Sequence, residues 1–233
     1  SPSVGDETTP QPNISMSLAE NDSWTLTEAM RTKAFWILFF MGMVMFCVNT
    51  GTNVHIGAFY RDQGLSLTIA AVAISFSWLV SALGSVGWGW VLEKIEARYA
   101  YSMVFVILGV STMYLLTVDS TASALVAAAL IGSVSSGSNV IISIMYANYY
   151  GRNSLGRIRG VSETGVLLGQ ATGPLLAGIL FDSRGSYTFV FLLFGGIALA
   201  CSMIVLNAKT PVRPVSMNTG LNSGTLSKGQ IQH

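Results

Sequence analysis

Residues 34–59 read Ala34-Phe-Trp-Ile-Leu-Phe-Phe-Met-Gly-Met-Val-Met-Phe-Cys-Val-Asn49-Thr-Gly-Thr-Asn53-Val-His55-Ile-Gly-Ala-Phe59, without a single charged side chain. Crossing a hydrocarbon layer of ~30 Å as a helix takes about 20 mostly apolar residues. This run is long enough. Five more follow, at residues 67–92, 100–118, 122–149, 161–181 and 187–206, and none of the six contains lysine or arginine. The runs lack the alternation of period two that a barrel strand needs. In lipid the backbone must satisfy its own hydrogen bonds, which favours helices. The expected fold class is therefore an all-α membrane protein with six transmembrane helices.

Composition agrees. Of 233 residues, 51% are apolar and 10% charged, where a soluble domain carries about 25% charged. Mean hydropathy is +0.56. These values exclude a soluble domain, a disordered chain, collagen and a disulfide scaffold. The net charge of +1 leaves no basic excess for nucleic acid. Cys47 and Cys201 lie within apolar runs and read as small core residues, not as a disulfide or metal pair. The chain opens at Ser1 with polar residues and no signal peptide, so it reads as a fragment or a cleaved product.

Residues 1–22 and 208–233 are rich in Ser, Thr, Asn, Gly and Pro and read as flexible tails flanking a transmembrane domain at 23–207. Within 23–33, Thr25 and Glu28 have the spacing of a helix capping box, which predicts a short surface helix before the first span. Six spans put both tails on one side. That side carries Arg31, Lys33, Lys94, Arg98, Arg152, Arg157, Arg159, Lys209, Arg213 and Lys228, and the other only Arg61 and Arg184. The positive-inside rule makes the tails cytoplasmic. The sequons at Asn13 and Asn21 then face the wrong compartment for glycosylation, and sugar on Asn13 would overturn this topology.

Polar residues inside spans are costly unless they pair or face water. The first span carries Asn49, Thr52 and Asn53 on one face, with His55 nearer its outer end. The fourth carries Ser135, Asn139, Ser143 and Tyr146 at spacings of 4, 4 and 3. Both faces are candidates for lining a substrate cavity, with interhelical hydrogen bonding as the plainer reading. His55 has the chemistry of a proton switch or of a simple hydrogen-bonded histidine. Glu163, four residues after Arg159, reads as half of a surface ion pair.

Two further patterns stand out. The loop after the second span reads Gly89-Trp-Val-Leu-Glu93-Lys94-Ile-Glu96-Ala-Arg98, charges that can pair at helix ends and hold one conformation closed. The fifth span has small residues at Gly165, Gly169, Gly173 and Ala177, a stripe that admits close helix approach, followed by a bend-favouring Pro174. Enzyme signatures are missing from the sequence. Gly84, Gly87 and Gly89 lie within a span with no strand before them, and there is no Gly-x-Ser-x-Gly elbow. Only two histidines occur, giving neither a metal cluster nor a catalytic triad. No cofactor is expected.

These patterns resemble the C-terminal six-helix half of a twelve-helix major facilitator transporter. Gly89, Glu93, Lys94 and Arg98 are similar to the family's loop signature, with Glu96 standing where that signature has glycine. Gly173-Pro174 through Phe181-Asp182-Ser-Arg-Gly185-Ser-Tyr187 resembles the eleventh helix and its outer turn. The lead-in from Trp24 through Arg31 to Trp36, with the segment from Tyr150 to Gly160, resembles the monocarboxylate and oxalate/formate branch. The resemblance implies a secondary transporter of small organic solutes, proton- or ion-coupled, completed by an N-terminal six-helix half. Helices seven and ten would line its cavity, which places Asn49, Thr52, Asn53, His55, Ser135, Asn139, Ser143 and Tyr146 against substrate. Glu93, Lys94, Arg98, Gly173 and Pro174 would serve gating. Anion carriers of that branch often hold Lys or Arg inside a C-terminal span. This chain has none, so a neutral solute stays open. The alternative is a complete six-helix scaffold or interaction protein that dimerises through the small-residue stripe and transports nothing.

Overall fold

The computed structural model describes residues 24–151 and 155–211. Asn13, Asn21 and most of both tails lie outside the described residues, as does Arg152. The described residues form a short helix α1 (Leu26–Met30) and six long ones: α2 (Lys33–Asp62), α3 (Leu67–Lys94), α4 (Ala97–Tyr114), α5 (Thr121–Tyr150), α6 (Leu155–Arg184) and α7 (Tyr187–Val205). A 3₁₀ turn at Leu115–Thr117 extends α4. All six are long and apolar enough to cross a membrane, so the chain is an integral, multi-pass membrane protein.

The helix starts follow the local sequence. Thr25 and Glu28 form the reciprocal capping box, and Thr25 N donates to Glu28 Oε2 at 2.8 Å. Thr32, Ser66, Ser120 and Ser186 each accept a backbone N–H at the start of α2, α3, α5 and α7. Three connections close with a glycine at positive φ, at Gly64, Gly151 and Gly185, a conformation other residues rarely adopt. The helices run past the apolar runs at several ends and take in flanking polar residues. Helix α2 reaches Asp62, and α4 begins at Ala97.

Apart from α4 on α5, helices adjacent in sequence pack little against each other. The dominant pairs are α2 on α6, α3 on α5, and α4 on α7. Exchanging α2 with α5, α3 with α6 and α4 with α7 maps the first pair onto the second and the third onto itself. The lengths obey the same exchange: 30 and 30, 28 and 30, 18 and 19 residues. Since α2 and α5 run in opposite directions, this is an inverted three-plus-three repeat within one six-helix unit.

Each dominant pair closes on glycine. A Cβ on Gly169 would strike the carbonyl oxygen of Met43, and one on Gly173 that of Cys47. A Cβ on Gly132 would strike the Ser77 carbonyl. In the third pair the relation is reciprocal: a Cβ on Gly109 would lie 3.0 Å from Gly195 O, and one on Gly195 would lie 3.0 Å from Gly109 O. Small residues at such crossings let backbones approach, which is the main source of packing energy between helices in lipid. The stripe at 165, 169, 173 and 177 is therefore buried against α2 of its own chain. This corrects the dimerisation reading: the stripe has no room for a second copy.

The least buried spans are α3 and α6, with 17% and 28% of their apolar windows inside the structure, against 44% or more for the others. Gly169→Ala should push α6 off α2 and lower stability by about 1–3 kcal/mol. Gly196→Ala, at a position open to solvent or lipid, should not lower it. Unfolding in detergent micelles, followed by tryptophan fluorescence, checks both.

Candidate substrate site

Asn49 and Ser135 fall near the middle of α2 and α5. They meet across the exchange axis of the repeat. Asn49 Nδ2 lies 3.3 Å from Ser135 Oγ, and Ser135 Oγ lies 3.4 Å from Asn49 Oδ1. One turn on, Asn53 Nδ2 donates to both Asn49 O and Asn49 Oδ1 at 2.8 Å. Asn49 is buried, while Asn53 and Ser135 are half-buried. On α5 the polar row continues past Ser135. Asn139 is exposed and donates Nδ2 to Ser135 O at 2.9 Å. Ser143 is half-buried and donates to Asn139 O at 2.6 Å. An exposed asparagine in the middle of a span is expensive against lipid and points to a wet face or a partner.

Asn53 also lines a small cavity between α2, α3 and α5, together with Tyr60, Ser77 and Ile131. Its volume is about 10 Å³, room for at most one water molecule. This cavity has no room for an organic solute.

The structure separates three residues from that row. Thr52 is 1% exposed, and its hydroxyl has no hydrogen-bond partner. Tyr146 is 1% exposed, packed against Phe35 and stacked on Tyr150. Its place in the 4-4-3 series puts it at the right angle, but the ring is long enough to fill the gap beneath α2. Both side chains pack inside the six-helix unit. His55 points elsewhere again. Its Nδ1 lies 3.2 Å from the Tyr187 hydroxyl of α7, and its Nε2 lies 3.1 Å from the Pro174 carbonyl of α6. Since a carbonyl only accepts, Nε2 carries the proton, and in the neutral ring Nδ1 accepts from Tyr187. His55 ties together three helices at the end opposite the tails. Nothing in the sequence marked Tyr187 as its partner, since 132 positions separate them.

The expected gating residues are scattered among local contacts. Arg98 Nε lies 2.7 Å from Glu96 Oε2, and its Nη2 donates to the Tyr99 hydroxyl at 3.2 Å. The residue that departs from the family signature is thus the one that pairs Arg98. Lys94 Nζ sits 4.0 Å above the Trp90 ring. Glu93 is exposed and forms no ion pair among the described residues. The charges pair within their own loop, not across the bundle. Gly173 is taken up by the contact with α2, and α6 continues as one helix through Pro174. Arg159 and Glu163 form the expected i,i+4 pair at 3.8 Å, both partly exposed.

Residues 38–228 match the sequence profile of the Major Facilitator Superfamily. The chain belongs to that superfamily. Its six helices, with their inverted repeat, are half of the twelve-helix fold. It is also similar to a protein named gallate transporter from Pseudomonas putida, at 25% identity over 178 residues. That match covers 75% of this chain and 38% of the relative.

Asn49→Leu should leave Ser135 and Asn53 without their shared partner and destabilise the unit by about 1 kcal/mol. Ser143→Ala, which removes a hydroxyl bonded only within its own helix, should change stability far less. Parallel melting curves of the purified variants in one detergent decide this.

Proposed function

We propose that the chain works as the C-terminal half of a secondary transporter that carries small organic solutes by alternating access. The observation that carries this reading is the polar row of Asn53, Ser135 and Asn139 at mid-span, open on one side and backed by the Asn49 network. A facilitator-type transporter binds solute near the bilayer midplane, between two six-helix halves that rock about the site. An exposed row at that depth meets the requirement. The high exposure of α3 and α6 supports an N-terminal half packing beside them. Their outward side chains, such as Trp78, Leu83 and Val86 on α3 and Leu168 and Leu175 on α6, are apolar and suit either lipid or that half.

For the substrate, we favour an aromatic monocarboxylate of the gallate type, on the strength of the relative's name and of the branch resemblance. Coupling to a proton or other ion belongs to this reading. His55 is the one histidine in the spans, and its ring bridges α6 and α7. We assign both tails to the cytoplasm, from ten basic residues on their side against two on the other. Glu93, with no ion pair among the described residues, is the carboxylate on the tail side that an opposing half could engage in the inward-closed state.

Asn139→Leu in the intact transporter should abolish solute uptake into proteoliposomes while leaving expression and melting temperature close to wild type. Retained uptake would remove Asn139 from the cavity and with it the main support for this site.

A further inference from the structure

The side chains of half-buried Asn53 and exposed Asn139 are oriented by chemistry, not by choice of rotamer alone. A backbone carbonyl only accepts hydrogen bonds. Asn53 Nδ2 lies 2.8 Å from the Asn49 carbonyl, and Asn139 Nδ2 lies 2.9 Å from the Ser135 carbonyl. In each case the atom at the carbonyl must be nitrogen, so the amide oxygen occupies the other arm. Asn53 spends both amide hydrogens on Asn49, one on the backbone and one on Oδ1. Asn139 spends one. The hydroxyl proton of Ser143 goes to Asn139 O at 2.6 Å, and that of Ser135 goes to Ile131 O at 3.1 Å or to Asn49 Oδ1.

What remains for a ligand is lopsided. Asn53 Oδ1 and Asn139 Oδ1 accept nothing among the described residues. The oxygens of Ser135 and Ser143 keep lone pairs. Against these acceptors stand one hydrogen on Asn139 and the hydroxyl of half-buried Thr50, which turns either way. No lysine or arginine occurs between Lys33 and Arg61 of α2, or anywhere in α5. A carboxylate has only acceptors to offer and needs several donors or a cation. A hydroxyl group supplies what this face lacks.

We infer that the Asn53–Asn139 row selects the hydroxyl-bearing end of the solute, both amide oxygens accepting from its O–H groups, while a carboxylate is met by groups beyond this row. The inference rests on the reading of the row as the substrate face of an aromatic-acid transporter. It adds which end of the molecule faces this half, and why hydroxyl groups decide specificity.

The test needs no variant at first. Uptake of radiolabelled dihydroxybenzoate by the intact transporter in proteoliposomes is competed with unlabelled dihydroxybenzoate and with its dimethyl ether. The ether keeps the ring, the carboxylate and the oxygen acceptors and replaces the O–H donors by methyl groups; difluorobenzoate, which lacks the donors without adding that bulk, is run beside it and should compete as poorly. Leaving a buried acceptor unpaired weakens binding by about ten- to hundredfold, so the ether should compete about that much less well. In Asn139→Ala the gap between hydroxyl and ether should narrow. An ether that competes as well as the parent overturns this inference and leaves the transporter reading standing. A gap unchanged in Asn139→Ala overturns the assignment to that residue. Absence of any dihydroxybenzoate uptake by a protein that melts normally overturns the aromatic-acid reading, and this inference with it.

Discussion

Backbone touching backbone is the constraint from which this bundle follows. At the α2–α6 crossing, Gly169 and Gly173 rest on the carbonyl oxygens of Met43 and Cys47 with no space for a methyl group. Lipid tails are as apolar as leucine, so burying apolar side chains gains little within the bilayer, and close contact must supply the cohesion. The same device recurs at Gly132 against Ser77 and, in reciprocal form, at Gly109 and Gly195. Three glycine crossings hold six helices, and among sequence neighbours α4 and α5 alone pack extensively in the described residues.

Close approach at the flanks lets the centre be polar. The repeat exchanges α2 with α5, so residues at the same depth on those helices face each other across its axis. Asn49 and Ser135 occupy that position and satisfy each other there. An asparagine buried at mid-span without such a partner would be a heavy cost. Because the pair closes on itself, the next residues outward, Asn53 and Asn139, have their amide hydrogens drawn inward and their oxygens left over. The packing inside the unit thereby sets the chemistry of its outer face.

Much of this was legible in the sequence. Six apolar runs without lysine or arginine predicted the six spans, and the Thr25–Glu28 spacing predicted the capped α1. The i, i+3, i+4 pattern correctly grouped Asn49 with Asn53, and Ser135 with Asn139. Helical angle alone could not say how deep a side chain reaches. Thr52 and Tyr146 lie at suitable angles, yet one is sealed between helices and the other fills space with its ring. The glycine stripe was readable as a contact surface, but its partner was not, because α2 and α6 are separated by three intervening spans. His55 was readable as distinctive. Its bonds to Pro174 and Tyr187 depend on tertiary packing that no local spacing encodes.

The unequal helix lengths have a mechanical meaning. Helices α2, α5 and α6, with 30 residues each, extend about 45 Å at 1.5 Å per residue, well beyond the ~30 Å hydrocarbon layer. The α4–α7 pair is shorter: α4 with its 3₁₀ extension spans 21 residues and α7 spans 19, about 29–33 Å. The long helices absorb a change in bilayer thickness by tilting, whereas the short pair has no length to spare and is itself locked at Gly109 and Gly195. One edge of the unit is therefore fixed to the local depth of the membrane while the rest can lean about it. By length alone, the α4–α7 edge is the part of the unit most closely matched to the thickness of the bilayer.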